Sequence, residues 1–236
     1  MRMIKAVILD FDGTLAVLNM DFSAMKERIL VLVEEYGIAR GSLTERYILE
    51  TIDEVTSLLI KSGGHMAERF REDAQRMLME KELEAASESH LLPGVEKMLM
   101  KLKTAGVKVG IVTRNFDGAV RRICPHIESL CDAFLPRDSV KKVKPDPHHL
   151  LTLLDRLEVS AEEAVMVGDN ILDILAGKRV GMRTVGVLTG RTPRHELLEN
   201  GADYVLESAS QLTGLIEGLR GRMRRPRTMK MDSFSQ

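Results

Sequence analysis

The sequence predicts an α/β fold: a doubly wound, parallel, Rossmann-like sheet carrying an inserted helical module. Three observations lead there. Short runs dominated by apolar residues, such as Ala6–Leu9, Val107–Val112 and Ala164–Val167, alternate with stretches of helical periodicity. Each run ends abruptly in polar residues, at Asp10-Phe11-Asp12, Thr113-Arg114-Asn115 and Gly168-Asp169-Asn170, and open α/β sheets place ligands at such carboxyl ends. Between Met20 and about His90, by contrast, no strand pattern appears.

Ala6–Leu9 reads as a strand buried on both faces, as in the middle of a parallel sheet. Phe22, Met25, Ile29, Leu30, Val33 and Tyr36 recur at helical spacing, and Gly37 ends that helix. A second helix is predicted from about Leu43 to Ile60, then a break at Ser62-Gly63-Gly64-His65. A third helical stretch, Met66 to Ala86, reads as one long helix or two. Pro93-Gly94 marks the return, followed by a helix from Val95 to Thr104 and the strand ending at Val112. A helix near Gly118–Ile127, a short strand Ala133–Leu135, the stiff loop Lys144-Pro145-Asp146-Pro147 and a helix His149–Leu157 come next. After the strand Ala164–Val167 follow a helix Ile171–Val180, strands at Thr184–Leu188 and Tyr204–Leu206, and a last helix Ala209–Leu219. The predicted division is a core of residues 1–15 and 93–219, a helical module of 16–92, and a basic, disordered tail of 220–236.

Composition narrows the class. With 44% hydrophobic residues in 236, the chain can fill a full core, and with 4% aromatics and no Trp that core must rest on aliphatic residues and the 14 Met. A net charge of −1 gives no general bias toward nucleic acid or anionic membrane. The tail is the exception, with Arg220, Arg222, Arg224, Arg225, Arg227 and Lys230 against Asp232. It lacks the interleaved aromatics that stack on bases, so nucleic acid is not the expected partner. Cys124 and Cys131 form no ligand cluster and read as free thiols of a reducing compartment. The first strand begins too early to follow a signal peptide, and no apolar run nears the ~20 residues of a membrane span. The expected compartment is the cytoplasm.

The chemistry resides at the strand ends. Residues two apart on an extended segment point the same way, so Asp10 and Asp12 can share one site. Two close carboxylates call for a proton or a cation between them. If the opening strand lies between those ending at Val112 and Val167, Thr113–Asn115, Asp169 and Asp173 join them. Together with Lys144, this set has what phosphoryl transfer requires: a nucleophile, an acid/base, donors for phosphate oxygens, a cation and carboxylates for a metal. His126, His148 and His149 show no metal spacing and read as solvent or loop histidines.

Asp10-Phe11-Asp12-Gly13-Thr14-Leu15 resembles the first signature of the haloacid dehalogenase superfamily in its phosphatase form. Thr113, Lys144 and Gly168–Asp173 resemble the other three, in the family's order, and the resemblance spans about residues 4–219. It implies that Asp10 is the nucleophile, forming an aspartyl-phosphate. It implies that Asp12 protonates the leaving oxygen, then deprotonates water, and lends its backbone carbonyl to the metal. Dehalogenases of the family lack an acid at this second position, so Asp12 favours phosphate esters. Thr113 and the following amides would bind phosphate. Arg114 stands where the family usually has a small polar residue, and Thr113-Arg114-Asn115 is similar to phosphoglycolate phosphatase-like members; Arg114 would either add a cation or face solvent. Lys144 would offset the charge of nucleophile and phosphate. Asp169 would ligate the metal, with Asp173 a ligand or a support behind it. Oxygen ligands of this kind imply Mg²⁺.

About 100 residues separate Asp12 from Thr113 and about 30 separate Thr113 from Lys144, so the insertion falls between the first two signatures. By resemblance it is a helical cap of the first cap class, which selects the leaving group. The function implied is Mg²⁺-dependent hydrolysis of a small phosphorylated metabolite of the phosphoglycolate type. A sugar-phosphate phosphomutase, or a catalytically idle member acting as a binding or regulatory protein, would use the same core.

Overall fold

The structure is a computed structural model and describes residues 3–17 and 19–224, the side chains of 222–224 excepted. In chain order, β1 (Ala6–Leu9) leads to three helices, α1 (Phe22–Glu35), α2 (Ile48–Lys61) and α3 (Ala67–Ala86). Then come α4 (Val95–Thr104), β2 (Lys108–Val112), α5 (Asp117–Ile123), α6 (Ile127–Leu130), β3 (Ala133–Leu135) and α7 (Pro147–Leu157). The chain continues through β4 (Ala164–Gly168), α8 (Ile171–Arg179), β5 (Arg183–Val187), α9 (Arg194–Glu199), β6 (Tyr204–Leu206) and α10 (Leu212–Arg224).

The strands form one parallel sheet in the order β3-β2-β1-β4-β5-β6. The opening strand therefore lies between β2 and β4, as the meeting of the polar strand ends requires. The two-sided burial read from its sequence also holds: every residue of β1 is inaccessible to solvent. Ala6 and Ile8 join Met166, Leu150, Leu153 and Leu154 in one apolar cluster, while Val7 and Leu9 are buried on the opposite side. Helix α7 packs on β2, β3 and α8, and α4 packs on β2 and α10. Gly110 on β2 permits the first of these, because a Cβ there would lie 2.6 Å from the Leu153 side chain. The start of α7 is set locally: Asp146 caps the His148 amide, and Pro147 occupies the first turn, where its missing N–H costs nothing.

The chain divides into two compact units. One takes in the described residues up to Val17, Leu91–Asp117 and those from Cys124 onward; it contains the sheet. The other takes in the described residues from 19 to 90 together with Gly118–Ile123, a segment that the sequence assigned to the core. In this second unit α1, α2 and α3 pack on one another around Met25, Ile29, Ile52, Val55, Phe70 and Ala74. The Tyr36 and Phe70 rings meet edge to face at 5.3 Å. Residues 67–86 form a single helix, because Phe70, Ala74, Leu78 and Ala85 keep one continuous buried stripe. The two chain crossings out of the sheet unit pair with each other, through an antiparallel bridge between Ala16 and Leu91 and a 2.8 Å bond from the Leu92 amide to the Leu15 carbonyl.

Two expectations change at the carboxyl end. A short helix α9 precedes β6, anchored by the buried Leu197. The last helix runs past Leu219 to Arg224, so residues 220–224 of the expected tail are helical, with Arg220 bonding the Ala105 carbonyl at 2.8 Å. The remainder of that tail lies outside the described residues. No helix among the described residues is long and apolar enough to cross a membrane.

Candidate active site

The register of the central strands builds the site. Leu9 pairs with Ile111 on one side and Val167 on the other, and the Asp10 amide continues the ladder with a 2.9 Å bond to the Val167 carbonyl. Asp10, Thr113 and Asp169 thus emerge from three adjacent strands at one edge. Lys144 arrives from the loop before α7 and is 1% exposed. Its ammonium lies 2.6 Å from Asp10 Oδ1 and 2.6 Å from Asp173 Oδ1, and reaches the Val112 carbonyl at 3.5 Å.

Asp173 is bound on both oxygens. Oδ1 holds Lys144, and Oδ2 accepts the Asn170 amide at 3.1 Å, forming a capping box at the start of α8 with Asn170. Gly168 makes room for this, since a Cβ there would lie 2.2 Å from Asp173 Oδ2. Asp169 is enclosed by backbone as well. Thr14 Oγ1 donates to it at 3.1 Å, and a Cβ on Gly13 or Gly190 would fall 2.6 Å or 1.8 Å from its Oδ2. Gly13 has φ +78°, open to glycine at low cost, and Thr189 Oγ1 donates to its carbonyl at 2.6 Å.

Asp12 occupies a separate part of the site. Thr113 Oγ1 donates to its Oδ2 at 3.0 Å and Asn115 Nδ2 to its Oδ1 at 3.2 Å. Asn115 in turn is fixed by the Phe116 amide, which donates to its Oδ1 at 2.9 Å. Burial raises the Asp12 carboxyl above the ordinary range, against the pull of these two hydrogen bonds and of Lys144 and Arg137. Burial, then the charge of Asp173, raises Asp10 well above its usual value, Lys144 opposing. Burial and Asp173 lift Asp169 to about 7. Lys144 is raised too; its own burial is the largest influence and works downward, but the charges of Asp10 and Asp173 outweigh it.

Of the residues singled out from sequence, Asp10, Lys144 and Asp173 meet directly with Asp169 beside them, and Thr113, Asn115 and Asp12 form the adjoining cluster. Arg114, expected either to supply a cation or to face solvent, is half-buried, and its guanidinium donates to the Lys144 carbonyl. His149 corrects the reading of a solvent histidine: it is fully buried and bonded at both ring nitrogens. Its spacing with Leu150, Leu153, Leu154 and Leu157 on the buried face of α7 was the available signal. Thr14 and the Thr189-Gly190 turn were not predicted as site residues either. Thr14 sits inside the first motif, whereas no local pattern marks residues 189 and 190.

Asp10, Asp169 and Asp173 each offer a carboxylate oxygen, all within 4.8 Å of one another. Three buried acids around one ammonium leave an excess of negative charge, and Asp10 and Asp169 are the two whose proton affinity is raised by their burial and by Asp173. An all-oxygen donor set of this charge fits a small, hard divalent cation.

A family model described as haloacid dehalogenase-like hydrolase matches residues 7–187. A phosphoglycolate phosphatase of Xanthomonas campestris pv. campestris is 31% identical over 217 residues, covering 90% of this chain and 96% of the relative. A pyrophosphatase, PpaX, of Bacillus velezensis is 38% identical over 120 residues, half of this chain and 56% of its own. Among solved structures, a hydrolase from Pseudomonas syringae has a TM-score of 0.65 at 22% identity, over 90% of this chain and 98% of its own. A β-phosphoglucomutase from Clostridium difficile has a TM-score of 0.65 at 21% identity, over 94% and 100%. These last two likenesses are of fold.

Proposed function

Because the chain belongs to the haloacid dehalogenase-like hydrolases, we propose that it is a Mg²⁺-dependent phosphatase acting on small phosphate monoesters through an aspartyl-phosphate on Asp10. The observation that carries this reading is the junction of Asp10, Lys144 and Asp173 beside a second, separately held carboxyl at Asp12. A carboxylate oxygen of Asp10 attacks phosphorus as the bond to the leaving oxygen breaks. Asp12, its proton affinity raised by burial, gives that oxygen a proton. It then takes a proton from the water that hydrolyses the aspartyl-phosphate, which returns Asp10 to its starting state.

Lys144 offsets the charge of the nucleophile and the incoming phosphate, while Thr113, Arg114 and Asn115 belong to the loop that receives the phosphate oxygens. Asp10, Asp169 and the Asp12 backbone carbonyl would hold Mg²⁺. Asp173, with both oxygens engaged, would support the cluster from behind. When bound, the cation would supply positive charge that favours the ionised forms of Asp10 and Asp169.

The relatives support two leaving groups to try first, the glycolate of phosphoglycolate and the phosphate of pyrophosphate. The test is phosphate release from a panel holding both, with sugar phosphates, in Mg²⁺ or EDTA, for wild type and Asp10→Asn. Metal-dependent release that falls by roughly 10³-fold or more in the variant supports the reading. Release that survives Asp10→Asn sinks it. Isomerised sugar phosphate without free phosphate would mark a phosphomutase instead.

A further inference from the structure

We propose that His149 is a positioning residue for Lys144: its imidazole ties the Lys144 peptide to the end of β3 and so aims the ammonium at Asp10. The inference rests on the reading that Lys144 serves phosphoryl transfer. The His149 Nδ1 accepts the Lys144 amide at 3.2 Å, and Nε2 meets the Leu135 carbonyl at 2.9 Å. A carbonyl only accepts and an amide N–H only donates, so the ring must be neutral with its proton on Nε2. Burial, then the positive charge of Lys144, holds its pKa down to about 3, with Arg114 and His148 acting in the same direction and the Leu135 hydrogen bond opposing.

The anchor is shared. The Leu135 carbonyl also accepts the Thr113 amide at 3.3 Å, so one oxygen fixes the start of the phosphate loop and, through His149, the start of the lysine loop. The other side of the Lys144 peptide is gripped as well. Arg114 donates to its carbonyl, and Arg179 Nη1 donates to the next one, Pro145, at 2.8 Å. A lysine side chain has four freely turning methylenes, and its head reaches two carboxylates here only if its root is held. An apolar residue at 149 would fill the same volume and leave the buried Lys144 N–H without an acceptor.

Amide side chains separate the two halves of this strut. His149→Asn places an acceptor near Nδ1 and keeps the hold on Lys144, whereas His149→Gln keeps a donor near Nε2 and loses it. With the best ester of the panel, His149→Gln is expected to lower kcat by roughly 10²-fold with little change in KM, and His149→Asn by no more than about three-fold. Lys144→Ala/His149→Gln should be no slower than Lys144→Ala alone, because the histidine acts through the lysine. Equal losses in Asn and Gln variants that share one unfolding midpoint, or losses that multiply in the double variant, would overturn the proposal. A readout without turnover runs alongside, in which ¹⁵N–¹H spectra should show a neutral, Nε2-protonated ring from pH 5 to 8. The Lys144 ammonium signal should shift in His149→Gln and stay in His149→Asn. An imidazolium, or an unmoved ammonium in His149→Gln, refutes the inference even if wild type hydrolyses no ester and the phosphatase reading fails.

Discussion

Replacing Asp169 with Asn should stabilise the metal-free protein at pH 8 and leave it almost unchanged at pH 4. Asp169 is 8% exposed and lies in the same buried cluster as Asp10 and Asp173, and its carboxyl is lifted from 3.8 to about 7. The unfolded chain ionises it near the ordinary value of about 3.9. Between these two values the folded state binds more protons than the unfolded one, so this group's contribution to stability falls as pH rises. The loss is absent below about pH 4 and complete above about pH 7. A displacement of about three in pKa, at ~1.4 kcal/mol each, sets the loss at roughly 4 kcal/mol as an upper figure.

An amide at this position cannot ionise, yet keeps an oxygen to accept the Thr14 hydroxyl. Urea unfolding in EDTA at pH 4 and pH 8 reads both terms of the comparison. In wild type, saturating Mg²⁺ at pH 8 should recover the loss, since it binds only the folded state, and Asp169→Asn should lose most of that response. If the variant is no more stable than wild type at pH 8, or gains equally at both pH values, the electrostatic account of this cluster is wrong.

Two further outcomes follow from the same geometry. Gly190→Ala should weaken Mg²⁺ binding by an order of magnitude or more, because its Cβ would stand 1.8 Å from Asp169 Oδ2 and one of the two must move; calorimetric titration with Mg²⁺ checks this, and unchanged affinity would refute it. Lys144→Met should destabilise the fold at pH 8 by roughly 3–5 kcal/mol, the usual consequence of stripping the counter-charge from buried carboxylates. The loss should shrink at pH 5, below the value of about 7 to which Asp169 is lifted, and denaturant midpoints at the two pH values measure the difference.

The parts of this molecule that were legible in sequence are those with local causes. A strand buried on both faces must be apolar throughout, so β1 and β4 announce themselves, as does β2 beyond its exposed Lys108, and the polar residues that follow them stand out against that background. The loop at Lys144 is equally local, marked by a pair of prolines, whereas residues 66–86 read as helical but leave open one helix or two. What stayed hidden depends on chain segments far apart in sequence. Gly190 matters only because Asp169 packs against it, and Thr189 only because the Gly13 carbonyl is near. The double use of Asp12 by Thr113 and Asn115 likewise needs β1 and β2 side by side. His149 was readable in part: its place on the apolar face of α7 implied burial, but its partners come from β3 and the lysine loop.

Asp173 carries a consequence for how such a protein can diverge. One carboxylate closes the first turn of α8, pairs with the lysine and belongs to the buried acidic cluster with Asp10 and Asp169. Asparagine there would preserve a helix cap and surrender the charge. Glutamate would preserve the charge, yet its extra methylene would have to fit where Gly168 already leaves no room for one. Neither replacement keeps all three duties. A lineage drifting toward a new substrate therefore has freedom elsewhere in the chain before it has any at this position.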